Sequence, residues 1–226
     1  MPVGRDIPSL VYGTQEDYKK LYFSEPMAAL KVPITISPGW GVLKSGTVLA
    51  KNTSAGLIRT GQFFPYDPYG TITGAENAPG RAYLVADQGT GTAIAYVTIA
   101  DSYKFIVGDD IIIIDSDGHG ALDNGGAIIT IDRTTHTHMA KITFTTNTGD
   151  TFTTAKFAYA TPEGFDTAVG ILEKSVNTGV GQDAKGAVAT LILGNCVLYS
   201  GMLLNADSDA LTELSGTAFG QFTYIR

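Results

Sequence analysis

The run Ala187-Val-Ala-Thr-Leu-Ile-Leu193 is apolar at both parities of the β alternation, the pattern of a strand covered on two faces. It predicts a central strand. Upstream, Lys141-Ile-Thr-Phe-Thr-Thr146 keeps Ile142 and Phe144 on one side and threonines on the other, a strand with one wet face. Five more short runs precede it: Arg81–Val85, Ala93–Ile99, Tyr103–Val107, Ile111–Ile114 and Ala127–Ile131, at near-regular spacing. Val32–Ile36, Val42–Leu49 broken at Ser45-Gly46 as in a hairpin, Ala168–Leu172 and Cys196–Tyr199 add to the list. Only 205–214 has helical character: Asn205 or Asp207 can cap it, Ala210, Leu211 and Leu214 make its stripe, and Gly216 can end it. The fold class is all-β.

Composition agrees. Among 226 residues there are 27 Gly and 9 Pro, enough turns for many short strands, while 44% hydrophobic and 16% charged residues describe a chain that buries a core. A net charge of −7 argues against a nucleic-acid clamp. Cys196 is the single cysteine, so no disulfide within the chain and no multi-cysteine zinc site is available. No apolar stretch reaches 18 residues and the N-terminus lacks a charged-then-apolar leader, so neither a membrane nor Sec-type export is expected.

The chain divides into three parts. Residues 1–30 hold Tyr12, Tyr18, Tyr22 and Phe23 among prolines without a sustained period, and read as an arm that orders on a partner. Residues 31–79 together with 155–226 form a β-rich body. The Pro/Gly-rich link from Phe63 to Gly80 opens a separate unit, 80–154, expected to be a small barrel or sandwich. That unit carries nine carboxylates against four Lys/Arg, most of the net charge, which marks it as the solvated end.

Motifs for chemistry are few. Asp115, Asp117 and Asp123 fall at positions 1, 3 and 9 of a calcium loop with Gly120 at position 6, but His119 stands at position 5 and Gly126 where the bidentate Glu belongs. A Gly/Asp hairpin loop accounts for them, with a weak cation site as the alternative. His136 and His138 share one face of an expected edge strand with no third ligand beyond Asp132 on the same parity. There is no G-x-S-x-G and no H-E-x-x-H, and Gly179–Lys185 fails the phosphate-loop spacing. Cys196 reads as a buried small hydrophobe, and Trp40 as a packing residue on its own sheet or on a neighbouring subunit. These patterns predict no catalytic set, no metal and no cofactor.

The order of features resembles a known family. An extended arm, the strand Ser45-Gly-Thr-Val-Leu-Ala50, then Ala168-Val-Gly-Ile-Leu172, Gly186–Leu193, Cys196-Val-Leu and a closing short helix look like the head decoration (cement) proteins of tailed bacteriophages, of the lambda type. The likeness covers about residues 31–60 and 160–226; the unit 80–154 departs from it. It implies a compact, β-tulip-like body that sits as a homotrimer on the outer surface of the capsid at threefold and quasi-threefold positions, after synthesis in the host cytoplasm. It also implies that the arm adds strands to the major capsid protein, with Tyr12, Tyr18, Tyr22 and Phe23 as anchors and Trp40 at the trimer contact. A second expectation, of a different class, is a head-fibre or receptor-binding module whose unit 80–154 grips a host-surface glycan.

Overall fold

The structure is a computed structural model that describes residues 21–23, 28–52, 61–67, 81–114, 122–154, 158–216 and 222–225, with backbone alone at 122–124 and 222–225. Two barrel-like sheets dominate it, as an all-β reading requires. The first is a closed five-stranded barrel built from β1 (Leu30–Ile36), β3 (Val48–Lys51), β4 (Phe63–Pro65), β11 (Ala168–Leu172) and β13 (Ala187–Gly194), in the order β1-β13-β11-β3-β4. Its neighbours are antiparallel, except that β4 returns parallel to β1 through the pair Ile36–Phe63. Ile34, Ile36, Val48, Leu49, Phe64, Ile171, Leu191 and Ile192 supply its core.

The second sheet has six strands in the order β5-β10-β7-β8-β9-β6: β5 (Ala82–Tyr83), β6 (Ile94–Thr98), β7 (Asp110–Ile114), β8 (Leu122–Asp132), β9 (Met139–Phe144) and β10 (Tyr159–Pro162). A bridge between Leu84 and Val97, with the Val85 amide donating to the Tyr96 carbonyl at 2.9 Å, brings its two ends together. The short pair β2 (Val42–Leu43) and β12 (Val176–Asn177), and the parallel pair β14 (Cys196–Tyr199) and β15 (Phe222–Ile225), flank the barrels.

Four isoleucines in a row explain how the sheets join. On β7, Ile111 and Ile113 enter the core of the six-stranded sheet, while Ile112 and Ile114 point the other way into the core of the five-stranded barrel. Strand β10 alternates likewise: Ala158 and Ala160 go to one core and Tyr159 to the other. These two strands form a shared wall. The doubly covered strand is therefore Ile111–Ile114, since β13, although central by pairing, leaves Val188 79% exposed. Strand β10 also moves a boundary: Tyr159–Pro162, assigned by sequence to the body that resumes at 155, pairs with β7 in the other sheet.

Three local expectations change. Residues Tyr103–Val107 do not form a strand, because Asp101–Lys104 coils into a 3-10 turn. Side chains there capture backbone: the Asp101 amide donates to Thr98 Oγ1, Ser102 Oγ donates to the Ile99 carbonyl, and Arg133 donates to Ser102 from both Nε and Nη2. Val42–Leu49 is not a hairpin, since Ser45 Oγ donates to the Glu173 carbonyl and the Gly46 amide to the Leu172 carbonyl, which sends β2 and β3 to different partners. His136 and His138 lie in the bend between β8 and β9, not on a strand. The helix Ser208–Ser215 forms as expected, with Asp207 Oδ1 accepting the Ala210 amide at 2.7 Å and Gly216 at its end.

Candidate functional site

Of the four aromatics expected on the arm, Tyr12 and Tyr18 lie outside the described residues. Tyr22 and Phe23 lie side by side and diverge. The segment Leu21–Phe23 docks along β14: Tyr22 bridges antiparallel to Leu198, and the Phe23 amide donates to the Val197 carbonyl at 2.9 Å. At this bridge Tyr22 turns inward, where it is 6% exposed, and Phe23 turns outward, where it is 58% exposed. Leu21 is buried as well.

Tyr22 is held by chemistry that the sequence did not single out. Its hydroxyl donates to Glu173 Oε1 at 3.1 Å, the same oxygen that pairs with Lys31 Nζ, and the Lys31 ammonium lies 5.3 Å from the Tyr22 ring centroid. Glu173 is almost fully buried, so the pairing with Lys31 and Tyr22 offsets its desolvation. Tyr22 is thus a fixed part of the body in this conformation and not a free anchor, because its ring and hydroxyl are already committed. Phe23 is available. It meets Tyr199 edge-on with ring centroids 5.6 Å apart, an aromatic pair open to solvent beside the place where the first twenty residues join the body.

Trp40 takes the first of its two expected roles, packing on its own chain. It is 4% exposed and stacks on Phe64 at 5.7 Å; its Nε1 donates to Ser37 Oγ and its amide to Thr178 Oγ1. Lys104 Nζ, from the 3-10 turn after β6, lies 5.5 Å from its ring. With so little surface, Trp40 has nothing to offer a neighbouring subunit. Its turn is pressed against the 3-10 segment: a Cβ at Gly39, where φ is +96°, would stand 3.0 Å from the backbone of Tyr103 and Lys104.

The same junction holds a buried ion pair at the two ends of the Pro/Gly-rich link. Arg81 Nε reaches Asp67 Oδ2 at 3.0 Å and Nη2 reaches Oδ1 at 3.0 Å, with side chains 1% and 0% exposed, while the guanidinium stacks 4.3 Å from the centroid of Tyr159. Lys104 Nζ donates to the Arg81 carbonyl at 2.6 Å and pairs with Asp101. Asp67 follows β4 of the five-stranded barrel and Arg81 precedes β5 of the six-stranded sheet, so these charges tie the two together. Nothing in the sequence distinguished them from the other 35 charged side chains.

Asp115 and Asp117 of the calcium-like loop lie outside the described residues, and Asp123 is placed only by its backbone, in β8 opposite Ile113. Among the described residues no three His, Cys, Asp or Glu side chains gather as metal ligands. His136 packs edge-on against Tyr96, centroids 5.6 Å apart. Cys196 is buried, and burial pushes its thiol up to about 11. No helix among the described residues is long and apolar enough to cross a membrane. No protein-family model, curated protein or solved structure matches the chain.

Proposed function

We propose that the protein is a structural decoration protein of a tailed-phage head, bound as trimers to the outer surface of the major capsid protein and stabilising it. The observation that carries this reading is the docking of Leu21–Phe23 on β14, through the Tyr22–Leu198 bridge and the Phe23 amide, beside the exposed Phe23–Tyr199 pair. Such a lead segment suits a partner that offers open sheet edges, where main-chain hydrogen bonds give affinity and aromatic pockets give specificity. The order of motifs shared with the lambda-type decoration proteins supports the same reading. Avidity across three arms would multiply a modest contact.

The test is deletion of residues 1–20, which spares the docked segment, followed by circular dichroism of the free protein and sedimentation with purified heads. An unchanged β spectrum with lost retention on heads is expected. Full retention by the truncated protein would remove the arm from the attachment, and failure of the intact protein to bind or thermally protect heads would end the decoration reading.

A further inference from the structure

Strand β10 pairs with β7 in a register that sets Thr161 opposite Ile112 and Pro162 opposite Ile111. One step further, Glu163 comes opposite Asp110, and the Glu163 amide donates to the Asp110 carbonyl at 3.2 Å. Two carboxyl side chains therefore face each other across an antiparallel pair, where Cβ atoms stand roughly 4.5–5.5 Å apart and like charges repel. Both residues are half-buried, which weakens the screening that water would supply. Asp166, on the same crossover, adds a further acidic charge toward Glu163 and in turn acts on Glu213 of the helix. Glu213 itself accepts the Ala168 amide at 2.6 Å. Burial, a hydrogen bond to Asp110 and the charges of Asp110 and Asp166 together hold the Glu163 carboxyl above the ordinary range.

The location gives the pair its consequence. Residues 163–167 are the crossover by which the chain leaves the six-stranded sheet and re-enters the five-stranded barrel at Ala168. We propose that Asp110 and Glu163 form a proton-operated clasp on this crossover. With one proton between them, the protonated carboxyl donates to the carboxylate and the crossover is held against β7. When that proton passes to solvent, two carboxylates face each other and the crossover loosens. The folded chain holds this proton more tightly than the unfolded chain does. The stabilisation is therefore complete below the ordinary glutamate value and is lost as pH rises from there through the elevated value.

Amide hydrogen exchange at Glu163 and Thr167, corrected for intrinsic rates, and the melting temperature are measured at pH 4 and pH 8. The wild type is compared with Glu163→Gln and Asp110→Asn, each of which keeps a donor and an acceptor in place but cannot ionise as a pair. In the wild type, protection at the two amides should fall from pH 4 to pH 8, by roughly tenfold for each unit by which the carboxyl is raised. Both variants should hold their pH 4 protection at pH 8 and melt higher than wild type there, by about 2–4 °C. The clasp is refuted if wild-type protection does not change between the two pH values, or if both variants show the same decline as the wild type. Should one variant fail to fold, the other carries the same comparison.

Discussion

Replacing Arg81 by methionine should be among the most damaging single changes this chain can suffer, although the residue lies in no strand of either sheet. The Asp67 side chain is 0% exposed and the guanidinium supplies two short contacts to it, so the variant leaves a carboxylate in the interior with its charge partner gone. Breaking a buried pair in this way costs about 3–5 kcal/mol, against nearly nothing for replacing both partners with apolar groups of similar volume. For a chain of this length the single variant should melt about 6–20 °C lower. Asp67→Leu with Arg81→Met, which puts apolar groups in place of both charges, should recover most of that loss. Because the orphaned carboxylate can neutralise by taking up a proton, the penalty of Arg81→Met should also shrink as pH falls. The assay is urea denaturation of the wild type, both single variants and the double variant, read by Trp40 fluorescence and by far-ultraviolet circular dichroism. The two probes should give one coincident transition in the wild type, since Trp40 sits at the junction of the two sheets. A penalty below about 1 kcal/mol for Arg81→Met, or a double variant no more stable than the single one, would refute the argument.

Tyr22 and Phe23 should separate cleanly in the same assay: Tyr22→Ala removes a buried ring and should cost about 3–5 kcal/mol, whereas Phe23→Ala should stay within about 0.5 kcal/mol while weakening attachment to heads. The Cys196 thiol, held at about 11, should resist an aromatic disulfide reagent at pH 8 in the folded protein and react at once in denaturant; rapid reaction without denaturant would show that the β14 face opens. A hydrogen bond from the Thr135 side chain, with the Thr134 and Thr135 amides and the Thr134 hydroxyl donating to Asp132 Oδ1, holds the Asp132 carboxyl well below the usual range. Its contribution is therefore present above the ordinary carboxylate value and lost as pH falls, so Asp132→Ala should flatten the acid side of a melting-temperature profile. Excising Gly80–Gly149 in favour of a short linker should leave an insoluble or unfolded remainder, because Ile112 and Ile114 go with it and Asp67 loses Arg81; a soluble, cooperatively melting product would restore the autonomy that the sequence suggests.

That last contrast shows where sequence reading stops. Alternation along Lys141–Thr146 and the capping pattern at Asp207 are local signals, and the elements they predict are present because nearby residues decide them. Ile111-Ile-Ile-Ile114 was legible as a strand, but which core each isoleucine serves depends on what covers the second face, and that is fixed by β10 and the five-stranded barrel. The 3-10 turn at 101–104 escaped because Arg133 grips Ser102 from thirty-one residues away. The candidate site followed the same rule. Aromatic content flagged Tyr22 and Phe23 together, yet only the pairing with Leu198 separates the buried one from the exposed one. Glu173, which fixes Tyr22, follows an apolar strand and precedes a lysine, a setting that carries no chemical signature of its own.

The closed barrel has a bearing on how the chain is made. Strand β1 lies between β13 and β4, so Ile36 must wait for Ala187 to leave the ribosome, and the docking of Tyr22 on Leu198 waits longer still. The six-stranded sheet ends at Pro162 and can assemble while β11 and β13 are still to be synthesised. During that interval Ile112, Ile114 and Tyr159 form an uncovered apolar wall, with β1 and β3 tethered nearby but unable to close over it. Pairings of such long sequence separation are slow. The nascent chain is therefore most exposed to chaperones, and to other copies of itself on the same messenger, over the roughly thirty codons between β10 and the end of β13, at about 5–20 residues per second.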